Sequence, residues 1–156
     1  MKNINFTSTA FTNGGTIPVK HTCDGENLSP ALEWGELPAG TRSLALIVED
    51  PDAPTGDFVH WVVYGLPPTM KGLAEGLPTV DRPDKAVAFG QGRNDFGRTG
   101  YRGPAPPPGR VHHYLFRLRA LDQPLNLGPK ADKAAVREAV QGHVLGEAIL
   151  TGTYRR

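Results

Sequence analysis

The spacing of apolar residues along the chain predicts a protein built mainly of β-strands. Residues 43–49 and 59–66 are nearly continuous apolar runs, a pattern typical of strands covered on both faces. Residues 112–121 alternate, which assigns one face of a strand to His112, Tyr114, Phe116, Leu118 and Ala120. Shorter strand patterns occur at residues 4–8, 31–34, 86–89 and 147–154.

One helix is predicted near the C-terminal end of the chain. Asp132 is placed to cap it, and its apolar face comprises Val136, Ala139, Val140, His143 and Val144, with Gly146 near its end. Residues 67–110 are rich in proline and have no helical period, so we expect long surface loops there. Loops of that length in a compact domain are usually functional.

Composition agrees with this interpretation. The 19 glycines and 15 prolines are spread through 156 residues, as expected for a single mostly β domain spanning residues 1–156 with many turns. The net charge is +1, and the single cysteine, Cys23, excludes an internal disulfide or a zinc site built on cysteine pairs. Residues 1–7 lack the apolar core of a signal peptide, so we expect a cytoplasmic protein. The chain has no P-loop, and Asp95 stands where a dinucleotide-binding fingerprint beginning at Gly90 needs its third glycine, so we expect no cofactor.

The segment from Asp50 to Pro54 is the first candidate site. It follows one buried strand, and His60 and Trp61 open the next, so the aspartates Asp50 and Asp52 should meet His60 at one edge of the sheet. The alternative is structural: the prolines shape a rigid turn whose backbone donors the aspartates satisfy.

A second candidate is the loop of residues 101–109, followed by His112, His113 and Tyr114. Proline fixes the backbone and glycine admits a close ligand, so this loop can form a cavity before binding. Adjacent histidines on a strand face opposite sides, which argues against a metal site made by both. A single histidine in such a position is more often structural than functional.

Positive charge is concentrated in one part of the chain. Six arginines and one acid, Asp95, lie between Arg93 and Arg119. Such a run is usually a solvated face, but arginine beside glycine-rich backbone also suits a phosphate or carboxylate. Nucleic acid fits poorly, because the total charge is near zero and no basic helix accompanies the arginines.

At these motifs the chain resembles the phosphatidylethanolamine-binding protein family, in its prokaryotic Raf kinase inhibitor-like branch. The resemblance rests on residues 25–34, 50–54, 60–61, 92–101 and 103–114, and extends to residues 142–154. It implies an antiparallel Greek-key β-sandwich of two sheets, one helix near the C-terminus and one anion pocket. The resemblance assigns this pocket to Asp50, Pro51, Asp52, Ala53, Pro54, Phe58, His60, Tyr101, Gly103, Pro106, Pro107, His112 and Tyr114.

The function we expect is non-catalytic binding of a small anion: phosphate, a carboxylate or a phosphoethanolamine-like head group. The imidazolium of His60 or His112, backbone N–H groups and the Tyr101 hydroxyl would hold a phosphate. Asp50 or Asp52 either orients a histidine and favours its charged form, or accepts from an ammonium head group such as that of phosphoethanolamine. Two alternatives stay open: a protein-interaction module that inhibits a protease or kinase, and an enzyme using His60 with an aspartate as acid and base. We expect at most weak peripheral membrane contact, and the sheet edges are compatible with a homodimer.

Overall fold

A computed structural model describes residues 2–156, and Met1, the first residue of the predicted domain, lies outside them. The described chain forms nine strands, one α-helix and one turn of 3₁₀-helix at Val19–His21. In chain order they are β1 (Lys2–Asn3), β2 (Phe6–Thr7), β3 (Leu32–Trp34), β4 (Ser43–Asp50), β5 (Phe58–Leu66), β6 (Gly72–Leu73), β7 (Gly90–Gln91), β8 (His112–Leu121), α1 (Lys133–Val140) and β9 (Val144–Tyr154).

The strands form two sheets. One has the order β1-β9-β8-β4-β5-β7 and the other β2-β3-β6. All neighbouring strands are antiparallel except β1, which runs parallel to β9. The predicted mostly β class with two sheets and one helix is therefore confirmed, and the parallel edge strand is a departure from a purely antiparallel arrangement.

Strand β4 lies at the centre of the larger sheet and is buried along its whole length. Leu46 belongs to a hydrophobic cluster that also includes Trp34 and Leu73 of the smaller sheet. Ile47 points to the other face and shares a second cluster with Val136 and Val140 of α1. Residues 43–49 are nearly all apolar because both faces of β4 are covered, one by the smaller sheet and the other by the helix.

The predicted helix is too long at its C-terminal end. Asp132 caps α1 by accepting a hydrogen bond from the backbone N–H of Ala135 at 3.0 Å, as predicted. The helix ends at Val140, however, and Gly142 adopts a φ of +80°, which turns the chain into β9. His143 and Val144 therefore lie outside the helix, and β9 begins three residues before the predicted strand at 147–154.

The shorter strands also differ from prediction. Of the segment predicted at 4–8, only Phe6–Thr7 forms a strand, β2, while β1 at Lys2–Asn3 lies before that segment and belongs to the other sheet. The strand expected at 86–89 lies instead at Gly90–Gln91. Strand β6 was not predicted. Short strands of two residues have too few positions to show an alternating pattern.

The segment 67–110 is not confined to the surface. Gln91 is fully buried, and its side-chain oxygen accepts a hydrogen bond from Trp61 Nε1 at 2.7 Å. Its amide nitrogen donates to the carbonyl oxygens of Pro78 and Val80. The loop is thus fastened to the core through one polar side chain, an arrangement that hydropathy does not reveal.

No helix within residues 2–156 is long and apolar enough to cross a lipid bilayer.

Candidate ligand-binding pocket

A pocket lies where three strands of the larger sheet meet at one end. Asp50 is the last residue of β4 and pairs with Phe58, the first residue of β5, while His112 opens β8. The pocket has a volume of about 270 Å³. Its lining consists of Asp50, Ala53, Pro54, Thr55, Phe58, His60, Phe96, Ala105, Pro106, Pro107, His112 and Tyr114.

Asp50 and His112 form a buried hydrogen-bonded pair beside the pocket. Their side chains are only 5% and 3% exposed, and the Nδ1 atom of His112 donates to Asp50 Oδ2 at 2.7 Å. The other carboxylate oxygen, Oδ1, accepts from the backbone N–H of Asp52 at 2.8 Å. Both oxygens of Asp50 are therefore engaged, and the carboxylate fixes the orientation of the His112 ring.

His60 is held by a different partner. Its Nδ1 atom lies 2.7 Å from the carbonyl oxygen of Arg102. A carbonyl oxygen only accepts, so Nδ1 carries the proton, and in the neutral ring Nε2 is an acceptor. Burial lowers the pKa of His60 below its ordinary value, against the opposing effects of the Arg102 carbonyl and the Asp50 charge. The neutral ring is thereby favoured near pH 7.

Aromatic rings enclose His60 on three sides. The ring centroids of Phe58, Phe96 and Tyr114 each lie 5.3 Å from that of His60, in tilted edge-on contacts. The guanidinium carbon of Arg102 lies over the Phe96 ring, 5.2 Å from its centroid. Aromatic, proline and alanine side chains make up most of the pocket wall, and polar contacts are stronger beside such apolar surroundings than in bulk water.

The hydroxyl of Tyr114 is buried and has no hydrogen-bond partner within residues 2–156. Burial, together with the Asp50 charge, raises the pKa of Tyr114, so this hydroxyl keeps its proton. Buried hydroxyls in proteins nearly always have a partner. This one therefore indicates a partner outside the polypeptide, such as an ordered water molecule or a ligand atom.

Asp52 and His113 form a second pair, on the outside of the pocket. The Nδ1 atom and the backbone N–H of His113 both donate to Asp52 Oδ2, at 2.8 and 2.9 Å. These bonds lower the pKa of the Asp52 carboxyl. Arg110 also donates to the backbone oxygen of Asp52 at 2.9 Å, so the two pocket loops are linked across their outer edge.

Nine of the thirteen residues predicted from sequence line the pocket together. They are Asp50, Ala53, Pro54, Phe58, His60, Pro106, Pro107, His112 and Tyr114. The other four, Pro51, Asp52, Tyr101 and Gly103, lie outside the lining.

Tyr101 and Gly103 have structural roles that differ from those predicted. Tyr101 belongs to the hydrophobic core, and its hydroxyl donates to the backbone oxygen of His21 at 2.7 Å, so it is not available to a phosphate in the pocket. A Cβ atom at Gly103 would lie 2.0 Å from that same oxygen. The glycine therefore admits a neighbouring backbone rather than a ligand.

Three lining residues were not predicted: Thr55, Phe96 and Ala105. Thr55 and Ala105 directly adjoin predicted residues in the chain, so extending each predicted segment by one position would have included them. Phe96 is distant in sequence from both predicted segments, and the sequence marks it only as an aromatic residue within the arginine-rich segment.

Within residues 2–156, no group of three or more histidine, cysteine, aspartate or glutamate side chains is arranged to hold a metal ion. The pocket itself offers only one carboxylate and two imidazoles, and the Nδ1 atoms of both rings are engaged by the protein.

Comparison with known proteins identifies the family. A family model described as phosphatidylethanolamine-binding protein matches residues 7–155. A curated protein of Methanothermobacter thermautotrophicus, named UPF0098 protein, is 53% identical over 154 residues and covers 98% of this chain and 99% of its own length. A UPF0098 protein of Aquifex aeolicus is 44% identical over 151 residues, covering 96% of this chain and 86% of its own.

Solved structures agree. A homologue of phosphatidylethanolamine-binding protein from Chlamydia trachomatis superposes with a TM-score of 0.88 at 38% identity, covering 100% of this chain and 99% of its own. YbcL of Escherichia coli, described as a member of the mammalian family, gives a TM-score of 0.88 at 32% identity, covering 99% of both chains. The chain belongs to the phosphatidylethanolamine-binding protein family.

Proposed function

We propose that the pocket binds a small phosphate-bearing ligand, a phosphomonoester such as phosphoethanolamine, and does so without turning it over. One observation carries this proposal: two buried imidazoles, His60 and His112, each have Nδ1 engaged by the protein and line the same pocket. The Nε2 atoms make no hydrogen bond to any residue in the range 2–156, so they are available to a ligand.

The protonation states suit a phosphate near its second pKa, which is about 6. A neutral His60 ring accepts at Nε2 and so binds the P–OH group of a phosphate monoanion. A protonated ring instead donates to a dianion. The two complexes, neutral His60 with the monoanion and protonated His60 with the dianion, contain the same number of protons. Above pH 7 the free ligand is mainly the dianion, so its binding to the neutral ring requires the uptake of one proton.

This linkage sets the direction of the pH dependence. Because burial lowers the pKa of His60, the free protein at pH 7.5 carries the neutral ring. Affinity should therefore decrease as pH rises from 6 to 8, approaching a factor of about ten per pH unit where neither ligand nor ring carries the proton.

The Asp50–His112 hydrogen bond is also the geometry that orients a general base, so turnover is tested alongside binding. Thr55 is the one hydroxyl side chain besides Tyr114 in the pocket lining, and no cysteine lies there. Binding without turnover predicts that the ³¹P spectrum of phosphoethanolamine keeps its single resonance during prolonged incubation with the protein.

The experiment is calorimetric titration with phosphoethanolamine, inorganic phosphate and ethanolamine. The variants are His60→Asn and His112→Asn, in which the asparagine amide keeps a donor near the Nδ1 position and removes Nε2. The matched control is His113→Asn, next in sequence but about half exposed and outside the pocket.

We expect phosphate and phosphoethanolamine to bind and ethanolamine alone not to bind. Each pocket variant should weaken binding by about tenfold or more, the value of one hydrogen bond to a charged group, whereas the control should stay within about twofold. Equal affinity in His60→Asn, His112→Asn and the parent protein would overturn the proposal.

A further inference from the structure

A second concave surface has Arg102 in its lining and shares no lining residue with the pocket. This groove has a volume of about 540 Å³, within the range of about 300–1,000 Å³ found for small-molecule sites. We define it as the basic groove, lined by Asn27, Thr79, Arg93, Asn94, Gly97, Arg98, Thr99, Tyr101, Arg102 and Lys130.

Four cations and no carboxylate line the basic groove: Arg93, Arg98, Arg102 and Lys130. Among the described residues, 2–156, none of the four forms an ion pair. The one acid of this segment, Asp95, is engaged elsewhere, because its Oδ2 atom accepts from Lys133 Nζ and from the backbone N–H of Val59, each at 2.8 Å. The positive charge of the groove is therefore not neutralised by the protein.

The loop that carries two of these cations is fixed by a buried asparagine. Asn94 is 3% exposed, and its side-chain oxygen accepts from the backbone N–H groups of Phe96 and Arg98. Its amide nitrogen donates to the carbonyl oxygen of Gly100 at 2.9 Å. Arg93 and Thr99 pair across the base of the loop as an isolated bridge. The backbone of the arginines is therefore positioned before any ligand arrives.

The backbone next to Lys130 is also held in place against the arginine loop. The backbone N–H of Arg93 donates to the carbonyl oxygen of Ala131 at 2.8 Å, which joins the loop before α1 to the arginine loop. A Cβ atom at Gly92 would lie 1.8 Å from that oxygen, so the two segments approach as closely as glycine permits. Cations from residues 93–102 and from residue 130 are thereby brought to one concavity.

We propose that the basic groove is a second anion site, separate from the pocket, that binds a multiply charged phosphate anion. Guanidinium groups bind phosphate oxygens through paired, charge-assisted hydrogen bonds, and Thr79 and Thr99 add hydroxyl groups to the lining. Four unpaired cations around one concavity favour a ligand with several negative charges over a single carboxylate. Exposed charges are screened by salt, so binding should weaken steeply as ionic strength rises.

Inorganic triphosphate is the probe, titrated into ¹⁵N-labelled protein at low salt and again at about 150 mM salt. The test variant is Arg93→Gln/Arg98→Gln. The matched control is Arg42→Gln/Arg155→Gln, which removes the same charge from two exposed arginines that form no ion pair within residues 2–156 and lie outside the groove. His112→Asn serves to separate this site from the pocket.

We expect saturable shifts of backbone amides in residues 93–102 and 130, retained in His112→Asn. The groove variant should bind triphosphate about tenfold more weakly and the control less than about twofold more weakly, because exposed ion pairs outside a built site contribute little. Equal losses in the two double variants, or shifts confined to residues 50–60 and 103–114, would overturn the proposal. The proposed function of the pocket would be untouched by either result.

Discussion

Replacing Asp50 with asparagine should change His112 Nδ1 from a hydrogen-bond donor to a hydrogen-bond acceptor. The carboxylate accepts two bonds on separate oxygens, from His112 Nδ1 and from the Asp52 backbone N–H. Asparagine has the same shape but only one accepting oxygen. If that oxygen keeps the backbone bond, its NH₂ group faces Nδ1, and His112 must move its proton to Nε2 to accept.

The structure sets the size of the effect. Hydrogen bonds to a charged group contribute about 1.5–3 kcal/mol and neutral ones about 0.5–1.5 kcal/mol, so converting two of them lowers the free energy of unfolding by about 2 kcal/mol. Asp50→Ala leaves the buried His112 Nδ1 and the half-buried Asp52 N–H without their acceptor and should cost about 4 kcal/mol.

The chain supplies its own control in Asp52 and His113. This pair has nearly the same geometry, 2.8 Å against 2.7 Å, but its side chains are 35% and 52% exposed. Solvent competes for these groups, so Asp52→Asn should lower the free energy of unfolding by less than about 1 kcal/mol.

Urea unfolding gives the stabilities, and long-range ¹H–¹⁵N spectra of the imidazoles give the tautomers. In the parent protein, the His112 nitrogen that lacks a proton in the neutral ring should be Nε2, and in Asp50→Asn it should be Nδ1. Unchanged tautomers together with equal losses at Asp50 and Asp52 would refute the assignment of Asp50 as the group that orients the pocket histidine.

Three further predictions concern packing, a partly buried ion pair and pH. Gly103→Ala forces a Cβ onto the His21 carbonyl and should lower the free energy of unfolding by about 3 kcal/mol in urea titrations, whereas a loss below 0.5 kcal/mol would contradict the contact. Glu49→Gln weakens the 2.7 Å bond that ties β4 to Arg137 of α1, with an expected loss of about 1–2 kcal/mol by the same method; a neutral result would mean that the pair does not anchor the helix. The lowered pKa of His60 means that, as pH falls below about 6.5, the unfolded chain takes up a proton that the folded chain resists, so stability is lost. In thermal unfolding between pH 7.5 and 5.5, His60→Gln should lose less stability than the parent protein, and parallel curves would exclude His60 as a cause.

The strands that form the pocket could be predicted because their sequence patterns are strong. Residues 43–49, 59–66 and 112–121 were assigned within one residue of the observed strands. Their antiparallel order then brings Asp50, His60 and His112 to one end of the sheet. The pattern works here because both faces of β4 are buried, which leaves little freedom for polar residues.

Other features depend on contacts between distant segments, which a local pattern does not contain. The family resemblance assigns Tyr101 to the pocket, but its side chain belongs to the hydrophobic core and its hydroxyl donates to the backbone oxygen of His21. Phe96 reaches the pocket because the backbone N–H of the preceding residue, Asp95, donates to the carbonyl oxygen of Val59 in β5. The end of α1 likewise follows from the left-handed backbone at Gly142 rather than from the apolar spacing that runs through it.

The central claim is that Nε2 of His60 and Nε2 of His112 are the groups that meet an anionic ligand. The most direct measurement is a titration with phosphoethanolamine at constant pH, following the ring nitrogens of all five histidines. The account predicts saturable shifts at His60 and His112 and none at His113 or His143, which lie outside the pocket. No shift at His60 and His112 with about 10 mM ligand, well above a millimolar dissociation constant, would contradict it.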